Sequence, residues 1–390
     1  MARTVLANVR PWGGAAGDVV IEDGTIAAVG TAPADGSAEV IDGRGLLAVP
    51  GLVNAHAHLD KSWWGRPWVS YGGEPTTQGR IAHERAHRGE LGIPSPDSTV
   101  GLVRELVRFG TTAFRSHVDV DLGVGLDGIH VVREAVAAVD PGLALSIVAF
   151  PQDGVLRRPG VLDLLDRAAA EGADHVGGLD PASIDRDPVG QLDALFDIAD
   201  RRGVGLDIHL HDRGELGAFQ YELIIERTLA AGLSGRVNIA HGFALGELPA
   251  ARQEALVERL VEAGVSVSTV ASPTAPRLPF AALHDAGVPV GLGTDGIRDL
   301  WGPFGDGDVL RLAGTLAQLA GWRRDEDLHA ALAIATSAAA GFVGRPVHDL
   351  VPGAPADIVL LDAENPQDAV TRAPARELVL VAGRVVSGTP

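Results

Sequence analysis

Between residues 49 and 346 the chain alternates short apolar runs with longer amphipathic stretches. TTAFRSHVDV, LALSIVAF, GVGLDIHLH, RVNIAHGF, VSVSTV and VPVGLGTD read as buried strands, while GVLDLLDRAAAEG, QLDALFDIADRRG and ARQEALVERLVEAG carry helical spacing. Strand, helix, strand in repetition builds parallel β-structure with right-handed crossovers. Over roughly 250–300 residues this predicts an α/β fold, a (β/α)8 TIM barrel. No GxGxxG follows a first strand, which speaks against a doubly wound sheet.

The two ends read differently. TVLANVR, GDVVIEDG, TIAAVGT and AEVIDGRG are short β-rich runs broken by Gly and Asp-Gly turns, and ADIVLLDA and ELVLVAGRVV repeat that character near the C-terminus. The expectation is a small β-sandwich domain formed from both chain termini. Residues 1–48 and 347–390 would supply it, and 49–346 the barrel.

Composition narrows the function classes. Without cysteine there are no disulfides and no thiolate metal ligands. A formal net charge of -19 repels phosphate backbones, so nucleic acid is not an expected partner, although the same charge also serves simple solubility. No apolar run reaches the ~18 residues of a membrane span. MARTVLANVRPWGG lacks the pattern of a signal peptide, and a cytoplasmic location follows as an expectation.

In such a barrel, catalytic groups collect at the C-terminal ends of the strands. Here apolar runs end in potential ligands: His56, His58, Asp60 and Lys61; His117, Asp119 and Asp121; Gln152 and Asp153; His209, His211 and Asp212; His241; Asp295. Alternate strand residues face one side, so His56 and His58 can both point to the barrel axis with Ala57 turned away. Neutral imidazoles with a carboxylate suit one divalent ion, Zn or Fe(II).

GLVNAHAHLDK, RSHVDVD, VAFPQDG, DIHLHD, NIAHG and GTDGIRDLWGPFGDGD, in this order, resemble the cytosine deaminase-like branch of the amidohydrolase superfamily. HLDKS and IRDLWGPFGDGD are similar to segments of N-isopropylammelide isopropyl-amidohydrolases. The resemblance implies one metal per subunit, held by His56, His58, His209 and Asp295. It implies that His241 steers the attacking hydroxide and that Asp295 relays its proton. It also implies that Gln152 reads the ring amide of a small heterocyclic substrate. Binuclear relatives bridge two metals with a carboxylated lysine from a barrel strand. Lys61 is the only lysine in this chain and sits beside the HxH, so a second bridged metal is not expected.

One departure stands out. Cytosine deaminases carry His-x-x-Glu at the fifth strand, where this chain has Asp212 three residues after His209. The shorter acid leaves three readings: a closer substrate, a proton shuttle moved to His211, or a different reaction. Lys61 would contact a substrate carbonyl, and His117 would touch substrate or orient a neighbour. Trp301, with Phe304, would wall a planar ring by stacking. His83, His87, His130, His175, His284, His329 and His348 read as surface or helix histidines. The leading expectation is a deaminase that releases an amine from a cytosine-like pyrimidine or an s-triazine. Cyclic amide opening and N-alkylamine removal need the same hydroxide, and an inactive metal-binding homologue is the reading from another class. A homo-oligomer is expected on the habit of such barrels.

Overall fold

The computed structural model describes residues 3–30 and 38–389. Thr31, the last residue of the TIAAVGT strand expectation, lies outside them, as do the first two residues of MARTVLANVRPWGG. The strands are β1 (Arg3–Pro11), β2 (Gly17–Glu22), β3 (Thr25–Gly30), β4 (Glu39–Asp42) and β5 (Leu47–Pro50). Then come β6 (Leu52–His58), β7 (Thr111–Asp119), β8 (Ala144–Phe150), β9 (His175–Leu179), β10 (Gly205–Leu210), β11 (Val237–His241), β12 (Ser266–Thr269), β13 (Val290–Leu292) and β14 (Asp295–Gly296). β15 (Ile358–Leu361), β16 (Arg376–Val381) and β17 (Arg384–Gly388) close the chain.

The strands form two sheets. One runs β17-β16-β15-β5-β1-β2-β3, with β4 also on β1, so strands from both ends of the chain share it. Its core holds Leu6, Val19, Ile21, Ile26, Ile358 and Leu380. The other is parallel and curled, in the order β13-β12-β11-β10-β9-β8-β7-β6-β14. Its path begins and ends on consecutive pieces of one segment: Val290 pairs with Val267 on β12, while Asp295 pairs with Ala57 on β6. β6, β7, β10 and β11 are buried along their whole length, as near-continuous apolar runs covered by helices on the outside must be.

Helices return the chain between these strands. Pro188–Arg202 starts at the Asp187 cap, which accepts from Gly190 N, and ends at Gly203 in the left-handed region. Val161–Ala170 and Ala250–Ala263 fall where the amphipathic periodicity put them. An additional helix, Thr77–His87, capped by Thr76, lies in the long connection after β6 and brings Glu84 to the mouth of the sheet.

The chain passes from one sheet to the other at Gly51, between β5 and β6. A Cβ there would stand 2.1 Å from Thr112 Oγ1, so only glycine fits. The expected boundary between residues 48 and 49 therefore falls inside β5. Two of the histidines read as surface or helix residues are corrected. His348 is buried, with Nε2 2.7 Å from the carbonyl of Gly51. His175 opens β9, with Arg115 Nη2 3.1 Å from its Nε2. Among the described residues no helix is long and apolar enough to cross a membrane.

Candidate active site

The C-terminal ends of the parallel strands converge on a cleft of about 410 Å³. His56 and His58 stand on β6, His209 on β10, His241 at the end of β11 and Asp295 on β14. Asp295 reaches β6 because Gly293 lets the chain cross close over it: a Cβ at 293 would lie 2.3 Å from the His56 carbonyl oxygen and 2.4 Å from its nitrogen. Three residues at this end, Asp180, His241 and Asp295, hold left-handed φ values of 34°, 65° and 59°. Non-glycine residues adopt that conformation at a cost of about 1–3 kcal/mol, and it gathers at functional sites.

The residues fit a divalent cation. Nε2 of His56 and of His58 lie 3.6 and 3.3 Å from Asp295 Oδ1. Ligand atoms of His56, His58 and His209 fall within 4.8 Å of one another, and so do those of His56, His241 and Asp295. Nε2 of His56 and both ring nitrogens of His209 are buried without a hydrogen-bond partner among the described residues. Such orphaned nitrogens are costly unless something binds them. Burial holds His58, His209 and His241 well below the usual imidazole range. Lys61 adds to the effect at His58, and neighbouring imidazoles add to it at His209 and His241. These rings are therefore neutral, as metal ligation requires. Burial works against an ionised Asp295, but His56 and His58 outweigh it and hold the carboxyl well below its usual range. Ser268 Oγ lies 3.5 Å from His56 Nδ1, on the ring edge away from Asp295.

His211 faces the cleft and stacks on His241, with centroids 4.5 Å apart and planes at 29°. Its Nδ1 is 2.9 Å from Asp180 Oδ2, while Asp180 Oδ1 accepts the backbone amides of His211 and Asp212. A carboxylate can only accept, so Nδ1 carries the proton toward Asp180. Burial opposes protonation of His211, but Asp180 outweighs it and raises the pKa. Asp212 itself is engaged elsewhere. Its Oδ2 accepts from Ser183 N at 3.3 Å and from Gln220 Nε2 at 2.9 Å, and it does not line the cleft.

The opposite side of the cleft carries Lys61 and Gln152. Lys61 Nζ donates to Gln152 Oε1 at 2.8 Å and lies 3.0 Å from Asp119 and 3.7 Å from Glu84. Burial works against the ammonium, but Asp119, Glu84, Asp60 and Asp299 outweigh it and raise its pKa. Asp60, Glu84, Asp119 and Asp299 all stand above the usual carboxylate range, with burial the largest cause. Burial first, and then charge from neighbouring acids, push Asp60 up to about 7 and Asp119 up to about 8. Phe150, Leu179, Trp301 and Phe304 supply the apolar wall, and Phe304 is 82% exposed at its rim.

His117, expected to touch substrate or to orient a neighbour, is fully buried and does not line the cleft. Its ring packs on His56 at 4.1 Å, and its Nε2 lies 3.1 Å from Asp207 Oδ1. Sequence reasoning missed Asp180, Glu84 and Asp207. HVGGLD held a usable signal for Asp180, a short apolar run ending in an acid, like the other strand ends. Glu84 sits on a helix outside the strand–helix repeat, and Asp207 lies in mid-strand, so the strand-end rule reaches neither.

The profile described as Amidohydrolase family matches residues 101–387. The chain is similar to N-isopropylammelide isopropyl amidohydrolase of Pseudomonas sp. (strain ADP), 29% identical over 357 residues, covering 89% of this chain and 87% of that one. The crystal structure of N-isopropylammelide isopropylaminohydrolase from Burkholderia multivorans ATCC 17616 superposes with a TM-score of 0.94 at 42% identity, over 99% of this chain and 98% of that one. 5-Methylcytosine deaminase from Klebsiella pneumoniae superposes with a TM-score of 0.84 at 26% identity, over 100% and 98%.

Proposed function

The chain belongs to the amidohydrolase family, and we propose that it is a metal-dependent hydrolase that releases an amine from a nitrogen heterocycle, a cytosine-like pyrimidine or an s-triazine. One observation carries the reading. A cleft places orphaned buried imidazole nitrogens and an ionised carboxylate beside an imidazole braced by its own carboxylate. His56, His58, His209 and Asp295 would hold the metal, and three imidazoles with a carboxylate suit Zn or Fe(II). Bound there, a divalent ion would supply Lewis acidity that lowers the pKa of a water toward neutrality.

The chain's own residues do the rest. Asp295 is ionised, so it can accept a proton from the attacking water and return it to the departing amine. His211, with Nδ1 tied to Asp180, carries its transferable proton on Nε2 and gives it to the ring nitrogen. That gives the shuttle to His211 rather than to Asp212, whose Oδ2 accepts from Ser183 and Gln220 and which does not line the cleft. His241, stacked on His211, lines the same wall and steers the attack. Phe150 and Trp301 offer faces for a planar ring. Removal of an N-alkylamine is the second reading. The apolar Leu179 and Phe304 favour it, as does the likeness to the Burkholderia multivorans enzyme.

We also read the curled parallel sheet as a (β/α)8 barrel and the other as a small β-sandwich domain. The pairing of β13 and β14 to opposite neighbours supports the first, and the sharing of β5 between β1 and β15 supports the second.

The test uses protein reconstituted separately with Zn and Fe(II) and a panel of aminopyrimidines, aminotriazines, pterins and cyclic amides. Release of ammonia or an alkylamine is the expected result. An opened ring with no amine released would overturn the reading in favour of cyclic amide hydrolysis.

A further inference from the structure

The parallel sheet has a second cavity, of about 380 Å³, at the opposite end of its strands from the candidate active site. Ser146 near the start of β8, His175 at the start of β9 and Gly205 at the start of β10 line it, and the short helix Ser337–Val343 closes one side. Gly203, Gly235 and Gly264 turn there with left-handed φ and place no side chain over the opening. Arg115 lies buried in the wall. Its Nε donates to the Phe342 carbonyl at 2.7 Å, and its Nη1 donates to Asp207 Oδ2 at 2.9 Å, which balances the charge from the buried side. Its Nη2 stands 3.1 Å from His175 Nε2. A guanidinium only donates, so His175 Nε2 accepts. Burial first, and then the Arg115 charge, hold the ring well below the usual imidazole range, so it is neutral and its one proton sits on Nδ1. Nδ1 is 3.4 Å from Ser146 Oγ, which accepts there and keeps its own O–H for the cavity. Arg236 ties one nitrogen to the Val204 carbonyl at 2.8 Å and lines the cavity with the rest of its guanidinium. The groups left to a ligand are therefore donors, and two of them are cationic. Leu145, Val237 and Phe342 add apolar surface, with the Phe342 ring 5.2 Å from Arg115 Cζ. Asp174 also lines the cavity; its Oδ2 accepts from Ile147 N at 2.8 Å, and its charge penalises a ligand with two negative charges.

We propose that this cavity is a second ligand site, built for a small organic monocarboxylate. The carboxylate oxygens take N–H groups of Arg115 and Arg236 and the hydroxyl of Ser146, and the apolar body lies against Leu145, Val237 and Phe342. An inorganic anion would leave the apolar wall unused. A neutral molecule of the same shape would forgo the charge-assisted bonds, worth roughly 10- to 100-fold in affinity. The cavity shares no lining residue with the candidate active site, so the site stands apart from the proposed reaction and from its metal.

The experiment is calorimetric titration of the metal-loaded full chain near pH 7 with benzoate, with benzamide as its uncharged counterpart and phthalate as the dianion. Benzoate is expected to bind about 10- to 100-fold more tightly than benzamide, and more tightly than phthalate. Arg236→Gln is expected to bring benzoate down to the level of benzamide and to leave benzamide unchanged, whereas a merely structural arginine would weaken both equally. Ser146→Ala is expected to weaken benzoate by about tenfold, and it decides alone if Arg236→Gln does not fold. A chain stripped of metal is expected to bind benzoate as before, because none of these groups holds the ion. Absence of benzoate binding, benzamide bound as tightly as benzoate, or phthalate bound more tightly than either overturns the proposal. So does benzoate binding that Arg236→Gln leaves untouched or that disappears with the metal, since the carboxylate would then sit in the candidate active site.

Discussion

Asp180 Oδ2 lies 2.9 Å from Nδ1 of His211, and the other oxygen of the same carboxylate takes the backbone amides of His211 and Asp212. The acid thus fixes the ring's tautomer and position together, leaving Nε2 for the cleft. Asp180→Asn keeps the shape but can offer its N–H to Nδ1 and so favour the wrong tautomer. It is expected to lower kcat by about 10²–10⁴-fold, with KM changed only a few-fold. Steady-state kinetics on the ring that releases most amine checks this.

Asp212 and His211 are adjacent in sequence and should behave oppositely. His211→Asn removes the cleft-facing imidazole and is expected to cost on the order of 10²-fold or more in kcat. Asp212→Asn should change kcat by only a few-fold. Its effect belongs to stability, about 0.5–1.5 kcal/mol from weakened bonds to Ser183 and Gln220, read from a urea midpoint. A large kcat loss in Asp212→Asn alone would return the shuttle to that residue.

Much of this was legible in the chain. The strand–helix alternation and the HxH at a strand end follow from periodicity, because strands buried on both faces leave long apolar runs. His56, His58 and His209 come together, as do His56, His241 and Asp295, since parallel strands bring their C-terminal ends to one side. What the sequence hid was side-chain direction beyond those ends. After β10 the backbone turns, so Asp212 points to Gln220 while His211 points to Asp180. Of the two readings of His117, contact with substrate or orientation of a neighbour, its packing on the ring of His56 fits the second. Asp180 went unseen because HVGGL is short and glycine-rich and reads as a loop as easily as a strand.

Gly293 predicts a loss of metal without a change in any ligand. A Cβ there would meet the His56 backbone at 2.3 and 2.4 Å and push the crossing segment, with Asp295, away from β6. Gly293→Ala is expected to lower metal affinity by about 10–100-fold, the loss typical of disturbed ligand support. Elemental analysis after dialysis against a competing chelator reads this directly.

The acid cluster around Lys61 predicts a pH-dependent stability. Asp119 releases its proton near pH 8 when folded and near 4 when unfolded, so the folded state binds more protons across that window. Stability therefore falls as pH rises through it. Removing the ammonium raises the folded-state pKa values further and steepens the fall. Lys61→Met is expected to cost about 3–5 kcal/mol near pH 8 and clearly less near pH 5. Urea unfolding at the two pH values measures the difference, and an equal cost at both would contradict the shared-proton cluster.

The most direct measurement pairs amine release with metal content in the unaltered protein and in Asp295→Asn, both prepared with the same divalent metal. The expected result is about one metal per chain and amine release from an aminated ring in the unaltered protein. In Asp295→Asn the release should fall by on the order of 10³-fold or more, because a metal ligand and the proton acceptor are lost together. Undiminished amine release from Asp295→Asn, or release from chains stripped of metal, would contradict a metal-dependent hydrolase built on His56, His58, His209 and Asp295.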